Sequence, residues 1–144
     1  MTTKQSAFNW IEIPSLNFER AVTFYSEILG KPLYRETLGG IPNGVLPYDS
    51  GDGVHAFSGG PGGVPYDSSN AGLAHGGAVI YDERVKPGMN GSTPYLNCNG
   101  QLHEVVGRVE MAGGKILLPV TPIGFGSIAI IVDSEGNRMG LHST

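Results

Sequence analysis

The sequence predicts an α+β fold in which two similar βαβββ modules, approximately residues 7–85 and 90–144, make up one domain. Three observations support this prediction. The length of 144 residues is typical of a single domain. Two stretches carry apolar residues at helical spacing, and the signals around the first stretch recur around the second at a nearly constant shift along the chain.

The first half opens with an alternating segment followed by an amphipathic helix. Residues 8–13 alternate between two faces, which is typical of a strand. Asn17 suits the N-cap of a helix over residues 18–29, and Gly30 suits its C-terminal end. Further strands are predicted at residues 31–37, 54–57 and 77–81, with a loop rich in Gly and Pro at 58–76. Residues 86–93 are predicted to link the two halves.

The second half repeats this order of elements. A strand at 95–98 precedes a helix at 102–112, and the helix ends at Gly113-Gly114. Strands are then predicted at residues 115–118, 127–132 and 138–142, with a turn at 133–137. The pairs Phe18 and Leu102, Gly30 and Gly114, and Lys31 and Lys115 are each separated by 84 residues. A separation this constant predicts an internal duplication.

Composition and charge exclude several classes of partner. The net charge is −4, with 9 basic and 13 acidic residues, so no basic surface is expected to bind nucleic acid. Apolar runs stay below the ~18 residues of a membrane span, and residues 1–7 lack the apolar segment of a signal peptide. Cys98 is the only cysteine, so no internal disulfide forms. This pattern predicts a cytoplasmic protein that binds neither nucleic acid nor membrane.

Several short motifs, in their order and spacing, resemble the vicinal oxygen chelate superfamily, which includes glyoxalase I, bleomycin-resistance proteins and extradiol dioxygenases. In the first half these are WIEIP at 10–14, NFERA at 17–21, FY at 24–25 and ILG at 28–30. In the second half they are YLNC at 95–98, RVE at 108–110, GGK at 113–115, DSEGN at 133–137 and GLH at 140–142. Residues 38–76 match poorly. The resemblance implies strands that curve into a partial barrel around a cup, completed within one chain or across a homodimer.

The resemblance also divides the strand residues between the cup and the helices. Given this fold, alternation predicts that the helix-facing residues are Ile11, Ile13, Leu96, Cys98, Met139 and Leu141. The residues predicted to line the cup and bind a ligand are Phe8, Trp10, Glu12, His55, Phe57, Tyr95, Asn97, Phe125 and His142. Aromatic walls with few polar groups are typical of a site for a small apolar or aromatic molecule.

The superfamily usually holds a divalent metal on His and Glu side chains that face the cup. The matching positions here are Trp10, Thr93 within one residue, Gly140, and an apolar stretch at 78–80. Indole and glycine supply none of the donors that such a metal needs. We therefore predict no metal and no other cofactor. A non-standard metal site remains an alternative, with candidate ligands Glu12, His55, His75 and His142.

The sequence thus predicts a homodimeric protein that binds a small molecule in a metal-free cup. One alternative is a metal-dependent lyase, isomerase or dioxygenase of the same superfamily, similar to lactoylglutathione lyase. The other is a protein-interaction module that uses the 58–76 loop. Glu12 has three interpretations: a general base, an anchor for a cationic ligand group, or a structural partner of a residue such as Arg138.

Overall fold

The computed structural model describes residues 10–49, 55–56 and 76–144, and of residues 48–49 and 55–56 only the backbone. The elements of the first half are β1 (Trp10–Pro14), α1 (Phe18–Leu29), β2 (Tyr34–Leu38), β3 (Ile41–Val45), β4 (Tyr48–Asp49), β5 (His55–Ala56) and β6 (Gly76–Ile80). Those of the second half are β7 (Tyr95–Asn97), α2 (Leu102–Val109), β8 (Lys115–Pro122), β9 (Ser127–Val132) and β10 (Arg138–Ser143). Neither described helix is long and apolar enough to cross a membrane.

The two halves form two four-stranded sheets with the same strand order. The first sheet runs β1-β6-β3-β2 and the second β7-β10-β9-β8. In each sheet the first strand of the half, β1 or β7, is an edge strand that pairs in parallel with the last strand of its half. The other strand pairs are antiparallel. The predicted α+β class is therefore confirmed, and the described strands do not close into a barrel. The matching strand orders agree with the duplication that the 84-residue shift predicts.

A shared apolar core lies between the helices and one face of each sheet. Its largest fully buried side chains include Tyr25, Phe24, Ile28, Ile131, Met139 and Leu141. Each such side chain stabilises the fold by about 1.5–3 kcal/mol through removal from water. The helix-facing prediction is confirmed for Ile13, Cys98, Met139 and Leu141, which are all buried. It is wrong for Ile11, which is 38% exposed on the edge strand β1.

Both ends of α1 follow the sequence prediction. The Asn17 side chain accepts a hydrogen bond from the Arg20 N–H at 3.0 Å, and Gly30 adopts a left-handed φ of 70°. The cap satisfies one of the N–H groups that the first turn leaves unpaired. By contrast, α2 ends at Val109 rather than at residue 112, because residues 110–113 form a turn in which Gly113 has a φ of 109°.

The predicted strand at 54–57 as a sheet partner of 77–81 is wrong. Residues 55–56 pair with β4 in a separate hairpin, and β6 instead pairs with β1 and β3. The sequence did not predict β3, because Pro42, Asn43 and Gly44 favour turns. The turn lies just before β3, at Gly39-Gly40, whose φ values of 59° and 81° suit a tight hairpin.

Gly44 in β3 is required by close packing against α1. A Cβ at this position would lie 2.8 Å from Val22 Cγ2 and 3.2 Å from Leu33 Cδ2. The Asn43-Gly44 pair, which has the composition of a turn, is therefore a site of close approach between strand and helix.

The loop between β9 and β10 fastens the second half to the start of α1. The Glu135 carboxylate, whose side chain is fully buried, accepts hydrogen bonds from the Leu16 and Asn17 N–H groups at 2.8 and 2.7 Å. It also accepts from Arg20 Nε at 2.7 Å and from Ser134 Oγ at 2.9 Å. Burial alone would raise the pKa of Glu135, but these hydrogen bonds outweigh it and hold the pKa below its ordinary value.

A second buried contact lies beside the first. Tyr25 Oη donates to Asp133 Oδ2 at 2.6 Å, and burial together with this carboxylate raises the pKa of Tyr25 well above its ordinary value. Asp133 Oδ1 also accepts from the N–H groups of Glu135 and Asn137, both at 2.9 Å. The DSEGN motif at 133–137 is thus a structural clasp between the two halves.

Candidate functional site

A groove of about 660 Å³ lies between β1 and residues 86–94, the linking segment that joins the two halves. One wall is the edge strand, with residues 10–12 and Pro14. The other wall is Lys86 and residues 88–94, and Asn137 closes one end. The volume lies within the ~300–1,000 Å³ of typical small-molecule pockets.

The Asn137 amide holds the two walls of the groove together. Its Nδ2 donates to the Pro14 carbonyl at 2.8 Å, and its Oδ1 accepts from the Gly88 N–H at 3.1 Å. Nδ2 also donates to Asp133 Oδ2 at 3.0 Å, so the amide is anchored to the clasp. One buried side chain therefore sets the spacing between β1 and the linking segment.

The far end of the linking segment is fixed to β10. Arg138 Nη1 donates to Thr93 Oγ1 at 2.7 Å, and the Gly140 N–H donates to the Pro94 carbonyl at 2.8 Å. The suggested pairing of Arg138 with Glu12 is therefore wrong. The Glu12 side chain forms no hydrogen bond or ion pair with any other described residue, so its carboxylate faces the groove unpaired.

The walls combine apolar and charged side chains. Trp10, Ile11 and Met89 are 37%, 38% and 39% exposed, so each presents apolar surface to the groove. Glu12 and Lys86 are the charged residues among the described lining, one on each wall. Apolar walls with a few polar groups are typical of small-molecule sites.

Four other predicted ligand residues, Tyr95, Asn97, Phe125 and His142, belong to the second sheet or its loops. Tyr95 is paired with Gly140 across β7 and β10, and a Cβ at 140 would lie 2.5 Å from Tyr95 Cε2 and 2.7 Å from Cγ. The ring therefore occupies the space that any side chain at position 140 would need. Tyr95 itself is 50% exposed.

Asn97, Phe125 and His142 lie nearby on the same sheet or its loops. Asn97 faces His142 across the strand pair, and its Oδ1 accepts from the Asn99 N–H at 2.9 Å. His142 Nε2 lies 3.0 Å from the Phe125 carbonyl oxygen, and since a carbonyl only accepts, Nε2 carries the hydrogen. The Phe125 and His142 rings are 6.1 Å apart, and Phe125 is 72% exposed.

The structure thus places the predicted residues in two groups. Trp10 and Glu12 line the groove, whereas Tyr95, Asn97, Phe125 and His142 belong to the second sheet. Phe8, Phe57 and the side chain of His55 lie outside the described part of the chain. Sequence reasoning missed Lys86 and Met89, because it treated residues 86–93 only as a link. The available signal was Met89, an apolar side chain in an otherwise polar and glycine-rich segment.

The residues at the superfamily's metal positions do not fit a metal. Trp10 presents an indole, the Thr93 hydroxyl accepts from Arg138, and Gly140 lies under the Tyr95 ring. Residues 78–80 are apolar and buried. Among the residues whose side chains the structure describes, 10–47 and 76–144, no group of three or more His, Cys, Asp or Glu is placed to hold an ion.

The non-standard metal set is likewise not assembled by the described residues. Glu12 lines the groove, while His142 is engaged with the Phe125 carbonyl. His75 and the side chain of His55 lie outside the described part of the chain.

Comparison with known proteins shows the fold. No family model and no curated protein matches the chain. A glyoxalase/bleomycin resistance protein from Albidiferax ferrireducens T118 is 16% identical, with a TM-score of 0.66 over 96% of this chain and 99% of that one. A glyoxalase/bleomycin resistance protein/dioxygenase family enzyme from Burkholderia phytofirmans PsJN is 9% identical, with a TM-score of 0.58 over 94% and 96%.

A third solved structure is a V278E mutant of glyoxalase I from Zea mays. It is 20% identical, with a TM-score of 0.60 over 94% of this chain and 45% of that longer one. The chain therefore has the glyoxalase/bleomycin resistance/dioxygenase fold, and the resemblance to the vicinal oxygen chelate superfamily is confirmed at the level of the fold.

Proposed function

We propose that this protein binds a small apolar or aromatic molecule in the groove between β1 and the linking segment. The observation that carries the proposal is the groove itself, where Trp10 and Met89 face a volume of about 660 Å³ beside two charged side chains. Binding alone is a sufficient function for such a site, since no residue at the superfamily's metal positions offers the usual donors.

The apolar walls supply enough free energy for useful binding. A flat ligand that covers about 100 Å² of apolar surface on each side of the contact gains roughly 2.5 kcal/mol per side. Stacking of an aromatic ring on the indole adds about 0.5–1.5 kcal/mol. The Asn137 bridge holds the two walls in place before the ligand arrives, which lowers the ordering cost of binding.

The single tryptophan of the chain gives a direct test. Trp10 is the only one, so its emission reports on the groove without interference from another indole. We expect para-biphenylethanol, a neutral aromatic alcohol, to change this emission in a saturable way. We also expect Trp10→Ala to weaken binding about tenfold in ligand-observed NMR, because the stacking surface is removed.

Phe125→Ala is the matched control. It also deletes an exposed aromatic ring, but from the second sheet rather than from the groove. An unchanged affinity in this variant supports the groove as the site. A larger loss of affinity in Phe125→Ala than in Trp10→Ala contradicts the proposal and moves the site to the second sheet.

We further propose that the protein is a homodimer, as the sequence resemblance implies. The second sheet and its loops carry exposed apolar side chains that a second copy would cover, including Tyr95, Leu117 and Phe125. Sedimentation equilibrium tests this directly, and a monomer mass across the micromolar range would contradict it.

A further inference from the structure

Two unpaired charges of opposite sign face the groove from its two walls. Glu12 projects from the middle of β1, and Lys86 stands at the start of the linking segment. Within the described part of the chain, neither side chain forms a hydrogen bond or an ion pair, with each other or with a third residue. We propose that the groove selects zwitterionic aromatic ligands, with an amino group at Glu12 and a carboxylate at Lys86.

Two arginines near the groove already have partners. Arg84 holds Asp82 through two hydrogen bonds from its side chain, at 3.0 and 2.8 Å, and this contact lowers the pKa of Asp82 to about 2. Arg138 donates to Thr93. The two groove charges are therefore the ones free to meet a ligand among the described residues that line it.

The apolar surface lies among these charges. Trp10 precedes Glu12 by two residues and shares its face of β1, while Met89 follows Lys86 on the opposite wall. A ligand whose ring stacks on the indole can direct its amino group to one wall and its carboxylate to the other. A ligand with only one charge leaves the opposite charge of the groove unmatched.

The expected advantage of a zwitterion in affinity follows from the solvent exposure of Glu12 and Lys86. Both side chains are exposed, so water and salt weaken each ion pair. An exposed ion pair contributes about 0.4–1 kcal/mol, which corresponds to a two- to fivefold change in affinity for each charge. A zwitterion should therefore bind about four- to twenty-fivefold more tightly than a neutral ligand with the same ring.

This inference rests on the proposed function, and one probe series tests both. The series is para-biphenylalanine, biphenylethylamine, biphenylpropanoate and biphenylethanol, which share a ring system and differ in charge. Affinities are measured from Trp10 emission in the intact protein. We expect biphenylalanine to bind most tightly and biphenylethanol most weakly, with the advantage reduced by added salt.

Two variants test which groove residue contacts which charged group of the ligand. Glu12→Gln should reduce the affinity for biphenylalanine to that for biphenylpropanoate, and Lys86→Gln should reduce it to that for biphenylethylamine. Glu27→Gln and Lys31→Gln are matched controls, since they make the same changes at exposed residues outside the groove lining, and they should have no effect.

The outcomes separate the two proposals. If biphenylethanol binds as tightly as biphenylalanine, the zwitterion inference is overturned while the small-molecule function stands. A preference for biphenylalanine that survives both groove variants also overturns the inference, because the charges then act elsewhere. If no probe changes the Trp10 emission up to its solubility limit, the proposed function fails together with the inference.

Discussion

The clasp between the two halves makes a sharp prediction for Glu135. Its carboxylate accepts from two backbone N–H groups, at Leu16 and Asn17, as well as from Arg20 and Ser134. Glu135→Gln keeps the shape of the side chain but replaces one oxygen with an NH₂ group. The Leu16 and Asn17 N–H groups both bond to Oε1, so the NH₂ group takes the Oε2 position, where it faces Arg20 Nε and Ser134 Oγ. The two backbone donors then keep an acceptor, but that acceptor is no longer charged.

The cost can be worked from the contacts. A hydrogen bond to a charged group contributes about 1.5–3 kcal/mol, against about 0.5–1.5 kcal/mol for a bond between neutral groups. The Arg20 side chain is 51% exposed and can turn to water, so its loss adds little. With two backbone donors that lose about 1 kcal/mol each, we expect Glu135→Gln to destabilise the protein by about 2 kcal/mol.

Urea unfolding at neutral pH, followed by Trp10 emission and by circular dichroism, measures this cost. Glu19→Gln is the matched control, because Glu19 pairs with Arg35 at 2.7 Å but has a side chain that is 70% exposed. We expect the control to leave the unfolding midpoint unchanged within error, since exposed pairs contribute little. Equal midpoints for the two variants would refute the clasp.

The same contact predicts a direction with pH. The folded-state pKa of Glu135 is lowered, so its stabilising effect is fully present above the unfolded value of about 4.3. It is lost as the pH falls through the lower folded-state value. The difference in unfolding free energy between wild type and Glu135→Gln should therefore persist down to a pH near the unfolded-state pKa. It should decrease only in stronger acid. A gap that closes already above that value would contradict the assigned shift.

Three further predictions concern close packing and the buried thiol. Gly44→Ala should destabilise the protein by about 1–3 kcal/mol in urea unfolding, because its Cβ would meet Val22; an unchanged midpoint would contradict this. Gly140→Ala should cost about 1–3 kcal/mol in the same assay, and the cost should largely vanish in a Tyr95→Ala background; equal costs in both backgrounds would show that the ring is not the obstacle. Burial raises the pKa of the Cys98 thiol to about 11, so Ellman's reagent should label it slowly at neutral pH and rapidly in urea; immediate labelling of the native protein would refute its burial.

Much of the fold could be predicted from local patterns. The caps at Asn17 and Gly30 and the apolar stripe of α1 depend on neighbouring residues, so one sequence suffices to place them. The turn at 133–137 followed the same logic. Strand β3 could not be placed, because its Gly44 is explained by Val22 and Leu33, which are distant in sequence.

The candidate site was predicted only in part for a similar reason. Alternation along β1 identified Trp10 and Glu12, since a period of two needs no tertiary information. The opposite wall depends on the path of the linking segment, which Asn137 and Arg138 fix through contacts over more than 40 residues. The exposure of Ile11 was missed because edge strands are defined by the sheet order and not by the strand's own sequence.

Amide chemical shifts, recorded while biphenylethanol is added to the isotopically labelled protein, test the central claim most directly. We predict that the amides of residues 10–12 and 88–93, which face each other across the groove, move in proportion to ligand occupancy. Shifts that are confined to Tyr95, Phe125 and His142, or no shifts at all, would contradict a binding site between β1 and the linking segment.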